Sequence, residues 1–294
     1  MDWKTRRATL DLSCRGRVMG ILNVTPDSFS DGSEHAELAS ALAHAHQMIA
    51  EGAELIDIGG ESTRPGALPV TLAVEIARTV PVVAALRAGW DGLISIDTSK
   101  AGVAAAALAA GADVVNDVSG LRHDPAMMAV CAASGCGVVV MHMLGEPRTM
   151  QHSPQYTDVV AEVRGFFAER LAVLTAAGIA PAAVCFDPGI GFGKSLAHNL
   201  TLLRQLHTLS VAGRPLLLGV SRKSFLGQVL HTADPAARDA PTVALTAFAR
   251  QQHVMLHRVH AVEPNVQALR MIEALLDGSA RRPINRGPAH AAAE

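Results

Sequence analysis

Eight short apolar runs rich in β-branched residues recur along the chain, separated by longer stretches rich in Ala and Leu. The runs cover residues 18–22, 54–58, 93–96, 113–115, 137–141, 182–186, 215–220 and 254–259. A strand that is apolar on both faces must be covered on both faces, and parallel strands need long crossover connections, so this alternation specifies a parallel sheet sheathed in helices. Eight repeats in one chain of 294 residues favour closure into a single (β/α)8 TIM barrel, a fold of about 250 residues. The intervening stretches read as helices over 37–51, 72–88, 101–110, 125–134, 156–177, 196–209, 241–252 and 264–277. Gly52, Gly89, Gly111, Gly135 and Gly178 sit where helices should end in the left-handed conformation. One domain is expected over 1–280. Residues 281–294, without apolar periodicity, read as a flexible tail.

Composition narrows the functions. Aromatic residues are 3% of the chain, which argues against a base-stacking platform for nucleic acid. Lys and Arg number 25 against 27 Asp and Glu, so no global positive field attracts polyanions and any phosphate must be held locally. Cys14, Cys131, Cys136 and Cys185 form no C-x-x-C pair, which points away from zinc or a disulfide framework and toward reduced cytoplasm. No signal segment and no spanning helix are legible.

Polar residues gather at the ends of the runs. Asn23 follows the first, Gly59-Gly60-Glu61-Ser62-Thr63-Arg64 the second and Asp97 the third. Asn116 and Asp117, His142, Asp187, Ser221-Arg222-Lys223, and Arg258 with His260 follow the rest. In a barrel, all eight strand ends meet at the face that carries the active site. Turn formation and helix capping account for some of these residues, and Asp117, Ser99 and Ser62 need no other role. Arg258 and His260 are different: two apart on a strand, they face the interior together, and two cations in a barrel mouth want an anion. Asp97, Asn116 and Asp187 suit the alternating N–H and C=O edge of a flat heterocycle, whereas Asn23, Arg64, Arg258 and His260 suit a phosphate. The ring thus divides into a heterocycle half and an anion half.

Loops 23–32 and 59–67 are polar, rich in Gly and Pro, and longer than a turn requires, which makes them lid candidates. Phe29 sits inside the first, where folding gains little from it. The glycines of Gly189-Ile190-Gly191-Phe192-Gly193-Lys194 superficially suggest a dinucleotide fingerprint, but its late position in a barrel argues against that reading.

At these loops the chain resembles the bacterial dihydropteroate synthases. The segments are M-G-I-L-N-V-T-P-D-S-F-S-D-G from Met19, D-I-G-G-E-S-T-R-P-G-A from Asp57, S-I-D-T from Ser95 and N-D-V-S-G from Asn116. F-D-P-G-I-G-F-G-K from Phe186, S-R-K-S-F from Ser221 and R-V-H from Arg258 follow in family order, so the likeness spans residues 18–272.

The resemblance implies a transferase joining 4-aminobenzoate to 6-hydroxymethyl-7,8-dihydropterin diphosphate, with 7,8-dihydropteroate and diphosphate as products. By matching motif, Asp97, Asn116, Asp187 and Lys223 would hold the pterin. Asn23, Arg258 and His260 would hold the diphosphate, Asn23 also binding Mg2+. Phe29, Thr63, Arg64, Pro65, Phe192, Ser221 and Lys223 would shape the aminobenzoate site, which sulfonamides should also occupy. The resemblance further implies a homodimer and no nucleic-acid or membrane partner. A methyltransferase acting from methyltetrahydrofolate would share the barrel and the pterin pocket, but would need neither a diphosphate clamp nor an aminobenzoate loop. A catalytically silent pterin-binding barrel is the other alternative. Three departures from the family pattern stand out: Ala261 where Asp is usual, Pro241 before Thr242 where Gly is usual, and His253-Val254 where Gly-Ala is common. Ala261 should forfeit a cap or loop anchor, Pro241 fits the first turn of a helix, and His257 should face the surrounding helices.

Overall fold

The computed structural model describes residues 1–25, 34–62, 68–145, 150 and 154–276. Eight parallel strands form one sheet: β3 (Arg17–Asn23), β4 (Leu55–Gly59), β5 (Leu93–Asp97), β6 (Val114–Asp117), β7 (Gly137–Met141), β8 (Val184–Asp187), β9 (Leu217–Leu218) and β10 (Leu256–Val259). The ladder runs β8-β7-β6-β5-β4-β3-β10-β9, and a parallel bridge between Phe186 and Leu216 joins β8 to β9. The expected barrel is therefore present. All eight apolar runs carry strands, shifted at their ends by up to a few residues. The strand within 215–220 shortens to Leu217–Leu218 because its pairing to β8 is only that single bridge.

Helices α1 (Glu34–Ala50), α2 (Leu72–Gly89), α3 (Ala101–Ala110), α4 (Met127–Ser134), α5 (Val159–Ala176), α6 (Leu196–Arg204), α7 (Ser224–Leu230), α8 (Asp239–Gln251) and α9 (Val262–Leu276) alternate with the strands. Eight match the stretches that read as helices; α7 lies outside them, because seven residues around Gly227 show too little periodicity. Gly111 and Gly135 end α3 and α4 in the left-handed region, and Gly52 and Gly178 also have positive φ. Gly89 does not: α2 runs through it and leaves by an extended Trp90.

Period-two alternation sorts the strand residues into two cores. Val18, Ile56, Ile94, Val115, Val138, Val184, Leu218 and Val259 face outward and join the helices in the larger one. Met19, Leu55, Leu93, Val114, Val139, Cys185, Leu217 and Leu256, one from each strand, close the barrel interior. Beneath this layer sits an antiparallel hairpin the sequence did not announce, β1 (Asp2–Lys4) and β2 (Thr9–Asp11), whose Trp3 is fully buried and donates Nε1–H to the Ala183 carbonyl at 2.8 Å. Among the described residues the interior is thus plugged at the end opposite the strands' C-terminal mouth.

Candidate active site

Two residues beyond the apolar layer, the same faces carry Ile21, Asp57, Ser95, Asn116, Met141, Asp187, Gly219 and Arg258. Two further on come Asn23, Gly59, Asp97, Val118, Met143, Gly189, Ser221 and His260. The strand pleat itself therefore brings Asn23, Asp97, Asn116, Asp187, Ser221, Arg258 and His260, from six different strands and the segments that continue them, to one mouth. Phe29, Thr63, Arg64 and Pro65, with most of both long loops and the 281–294 tail, lie outside the described residues.

Arg258 organises the centre. Its Nε donates to Asp57 Oδ2 at 2.6 Å and its Nη2 to Asp97 Oδ2 at 2.7 Å, while Asn116 Nδ2 donates to Asp57 Oδ2 at 3.0 Å. The sequence reading places Arg258 purely in an anion half, as a cation awaiting a ligand. Instead two carboxylates from the neighbouring strands β4 and β5 compensate it across the barrel mouth, and it links the two halves, because three charges facing one dry interior must neutralise one another. Burial works against its charge, but Asp57 and Asp97 outweigh burial and hold its pKa above the ordinary value. Asp97 goes the other way. Burial raises it to about 7 against the attraction of Arg258, with the charge of Asp57 adding to the rise. Asp57 Oδ1 and Ser95 Oγ are buried without a hydrogen-bond partner, so the inner ring retains polar capacity that the protein does not itself consume.

Asp187 is buried, and its Oδ1 accepts the Gly189 N–H at 2.7 Å; burial raises its pKa, opposed mainly by Lys223. Lys223, half-buried at the start of α7, donates to the Ile190 carbonyl at 2.6 Å and lies 4.6 Å over the Phe192 ring. It is not a solvated helix-start lysine. Burial lowers its pKa to about 8, against the pull of Asp187. Phe192 packs with Met141, Met143, Met150 and Val118 as the apolar wall of the mouth. Ser221 Oγ lies 3.0 Å from His260 Nδ1 and accepts the His260 N–H at 3.1 Å, tying a residue expected at the aminobenzoate site to one expected at the diphosphate. Arg222, between Ser221 and Lys223, holds a left-handed φ of 58° and pairs with Asp239 through two contacts of 2.8 Å. A non-glycine residue in this region stores strain that the surrounding ion pair must over-determine.

The remaining strand-end residues resolve into scaffold. Asp117 accepts the Ser119 and Leu121 N–H groups at 2.7 and 3.1 Å and is a turn former. Glu61 and the buried Glu75 both pair with Lys100, and Arg78 donates to the Gly60 carbonyl at 2.9 Å, fixing the root of the second long loop. Gly189 and Gly193 have positive φ, and a Cβ on either would collide with the His142 or Leu144 carbonyl oxygen. These glycines permit close backbone packing. His257 faces outward as expected, its Nε2 3.2 Å from the Val254 carbonyl and its ring neutral because burial lowers its pKa to about 4.

Sequence reasoning overlooks Asp57 and Lys194. Asp57 has a legible signal, an acid between two isoleucines on the parity of Leu55. Lys194 has none, since its burial depends on how one loop folds against another.

For Mg2+, no cluster of three or more His, Cys, Asp or Glu suited to a metal exists among the described residues. The Asn23 amide oxygen and Asp97 Oδ2, which also accepts from Arg258, converge beside Gly59, 3.9 and 3.8 Å from where its Cβ would stand. This hard-oxygen donor set fits an ion that completes its shell with water and phosphate.

A barrel plugged below, with a buried polar ring, an apolar wall and compensated cations at its mouth, defines a barrel enzyme for a small, flat, polar substrate. Residues 19–260 match the pterin binding enzyme family. A dihydropteroate synthase of Synechocystis sp. is 46% identical over 265 residues, covering 90% of this chain and 92% of that one. The crystal structure of the Yersinia pestis dihydropteroate synthase with a sulfonamide drug complex superposes with a TM-score of 0.88 at 47% identity, covering 94% of this chain and 100% of that one. The Burkholderia cenocepacia enzyme complexed with 7,8-dihydropteroate gives 0.85 at 44%, covering 94% and 97%. The chain belongs to the dihydropteroate synthase family of pterin binding enzymes. Its reaction is the transferase step of folate biosynthesis that condenses 6-hydroxymethyl-7,8-dihydropterin diphosphate with 4-aminobenzoate, giving 7,8-dihydropteroate and diphosphate.

Proposed function

We propose that Asp97, Asn116, Asp187 and Lys223 bind the pterin, that Asn23, Arg258 and His260 receive the diphosphate, and that Phe192, Ser221 and Lys223 line the 4-aminobenzoate site with Phe29, Thr63, Arg64 and Pro65. The observation that carries this division is the placing of buried acceptors, Asp187 and Asp57 with its unspent Oδ1, on the inner ring, with Asp97 one level above on the same Arg258 and the Phe192 and methionine wall beside them. A pterin edge supplies the N–H groups such acceptors need, and a buried polar site rejects ligands that leave it unpaired.

The reacting methylene is attached to an electron-rich ring, so departure of diphosphate can lead bond formation and leave a delocalised cation. Asp97 and Asp187 stabilise that cation while Lys223, Arg258 and His260 face the developing negative charge. Asn23 would hold Mg2+ with the substrate's phosphate oxygens, and the ion supplies charge neutralisation of the leaving group. The 4-aminobenzoate amine is largely neutral at pH 7 and needs no dedicated general base. A sulfonamide presents the same aniline and acidic group at similar separation, and its inhibition should be competitive with 4-aminobenzoate. A homodimer is supported by exposed Val229 and Leu230 on α7, Phe248 on α8, and Met271 and Leu275 on α9, an apolar surface that a second copy of the chain would cover. A cytoplasmic setting fits the four free cysteines, Cys14 of them exposed. No helix among the described residues is long and apolar enough to cross a membrane.

Calorimetric titration of Asp97→Asn and Asp187→Asn with the pterin diphosphate tests the assignment. Each exchange sets a donor against a pterin N–H, and a buried mismatch of this kind costs about 1 to 3 kcal/mol. Unchanged pterin affinity in both variants would reduce the two carboxylates to turn caps.

A further inference from the structure

Lys194 is an unusual residue for the interior of a barrel enzyme. It is 2% exposed, and no carboxylate among the described residues pairs with it. Its Nζ is enclosed by the Gly189 and Phe192 carbonyls at 3.0 Å each, the His142 carbonyl at 3.3 Å and His142 Nδ1 at 3.0 Å. His142 is neutral, because burial and then the charges of Lys194 and Arg122 lower its pKa to about 3, so Nδ1 can present a lone pair. Three ammonium N–H groups thus face four acceptors drawn from two different strand-end segments.

An apolar side chain of similar length would fill the same space without the cost of desolvating a charge. What the charge adds is a set of directed bonds to a stretch of backbone with little conformational preference of its own. Between Asp187 and Lys194 lie Gly189, Gly191 and Gly193, all at positive φ. Such a segment has many alternatives open to it unless something outside it selects one. Lys194 binds the carbonyls of Gly189 and Phe192, which bracket Ile190 and Gly191, and so leaves the Ile190 carbonyl aimed at Lys223 and the Phe192 ring under the Lys223 ammonium. Asn199 and Tyr156 secure the same loop elsewhere: Asn199 Oδ1 accepts the Gly191 N–H at 2.8 Å, and Tyr156 Oη donates to the Gly193 carbonyl at 2.9 Å.

We propose that Lys194, clamped against His142, is a positioning residue that fixes the β8–α6 loop and thereby presents Phe192 and Lys223 to 4-aminobenzoate. The proposal rests on the reading that Phe192 and Lys223 line that site. Lys194 itself touches neither substrate in this assignment, and its influence travels through backbone carbonyls. The pterin-facing Asp187 is held by its strand β8 as well as by Gly189, so pterin binding should depend on the clamp much less than aminobenzoate binding does. Burial lowers the Lys194 pKa to about 7, resisted by Asp187 and assisted by Lys223, so the ammonium form is held at a cost and the clamp rests on the directed bonds rather than on a full charge.

The test uses the full chain with Lys194→Met, which keeps the length of the side chain and removes its donors, and Lys194→Gln, which restores two. For Lys194→Met the KM for 4-aminobenzoate should rise about tenfold or more, while the dissociation constant for the pterin diphosphate stays within about threefold. Lys194→Gln should recover part of the loss. Tyr156 is the only tyrosine in the chain and supplies a readout independent of turnover. Burial and then Glu162 hold its phenol well above the ordinary range, so a loop released from the clamp should let tyrosinate absorbance appear at lower pH while circular dichroism still reports a folded barrel. If Lys194→Met does not fold, the same two measurements on Lys194→Gln decide. A KM and a Tyr156 titration both within about twofold of the parent, or equal losses of pterin and aminobenzoate binding, would overturn the proposal. Failure of the assigned site would look different: Phe192→Ala and Lys223→Ala would then leave the aminobenzoate KM unchanged, whatever Lys194 does to Tyr156.

Discussion

Replacing Arg258 by methionine should be among the most damaging single changes in this barrel, and the structure explains why. Among the described residues the guanidinium is the only cation in direct contact with Asp57 and Asp97, at 2.6 and 2.7 Å, and Asp57 is fully buried. In Arg258→Met the new side chain would fill much of the volume but leave two carboxylates facing one another across adjacent strands. Removing one partner of a buried pair costs about 3 to 5 kcal/mol, because the remaining charge stays desolvated. In a chain of this length each kcal/mol lowers Tm by about 2 °C or slightly more, so a fall of roughly 6 to 12 °C is expected in a calorimetric scan. The loss should shrink at acidic pH as the orphaned carboxylates protonate, and Asp57→Asn in the same chain should recover part of it. A Tm within about 2 °C of the parent, or a double variant no better than the single one, would refute the claim that the two acids depend on Arg258.

Four further outcomes follow from three particular side chains. Asp97, raised to about 7, accepts a pterin N–H more strongly as the carboxylate than as the acid, so pterin affinity should weaken as pH falls below that value, by up to about tenfold per unit, and Asp97→Asn should abolish the slope in a calorimetric pH series. The same shift makes the native state bind this proton more tightly than the unfolded chain. Its contribution to stability therefore falls as pH rises from about 4 to about 7 and is level above, which denaturation of parent and Asp97→Asn across that window would reveal. Trp3→Ala should cost about 3 to 5 kcal/mol by emptying the plug beneath the inner layer, yet leave turnover at low temperature nearly unchanged, since the hairpin is at the far end from the mouth. His253→Gly should raise Tm by up to about 2 °C, because His253 holds a φ of 65° where glycine carries no steric penalty, offset in part by the freer unfolded chain.

That last position shows how a departure from the family pattern becomes interpretable only in three dimensions. His253 in the chain is one polar residue among others; in the fold it occupies the left-handed turn between α8 and β10. Pro241 proves compatible, being the third residue of α8, where an N–H would have no intrahelical acceptor. Ala261 immediately precedes α9 and offers no side-chain cap, and its carbonyl instead accepts Asn265 Nδ2 at 2.7 Å.

The barrel itself was legible because its cause is local and repeated. Eight apolar runs at strand length, each followed by a helix, leave a parallel sheet few ways to close, and period two then assigns Met19, Leu55 and Leu93 inward and Val18, Ile56 and Ile94 outward. Strand-end chemistry was legible for the same reason: Asp97, Asn116, Asp187 and Arg258 each stand two or more residues beyond an inward apolar position, so the pleat alone aims them at one mouth. Pairing was not. That Arg258 takes Asp57 and Asp97 as partners depends on the stagger of β10, β3, β4 and β5, a property of the closed sheet. The burial of Lys194 depends on the β7 and β8 connections folding against each other, and the docking of Trp3 on the barrel's underside joins residues 180 positions apart. Alternation along a strand is set by covalent geometry and is written in the sequence. The balance of charges inside the barrel arises from distances between strands, which exist only once the sheet has closed.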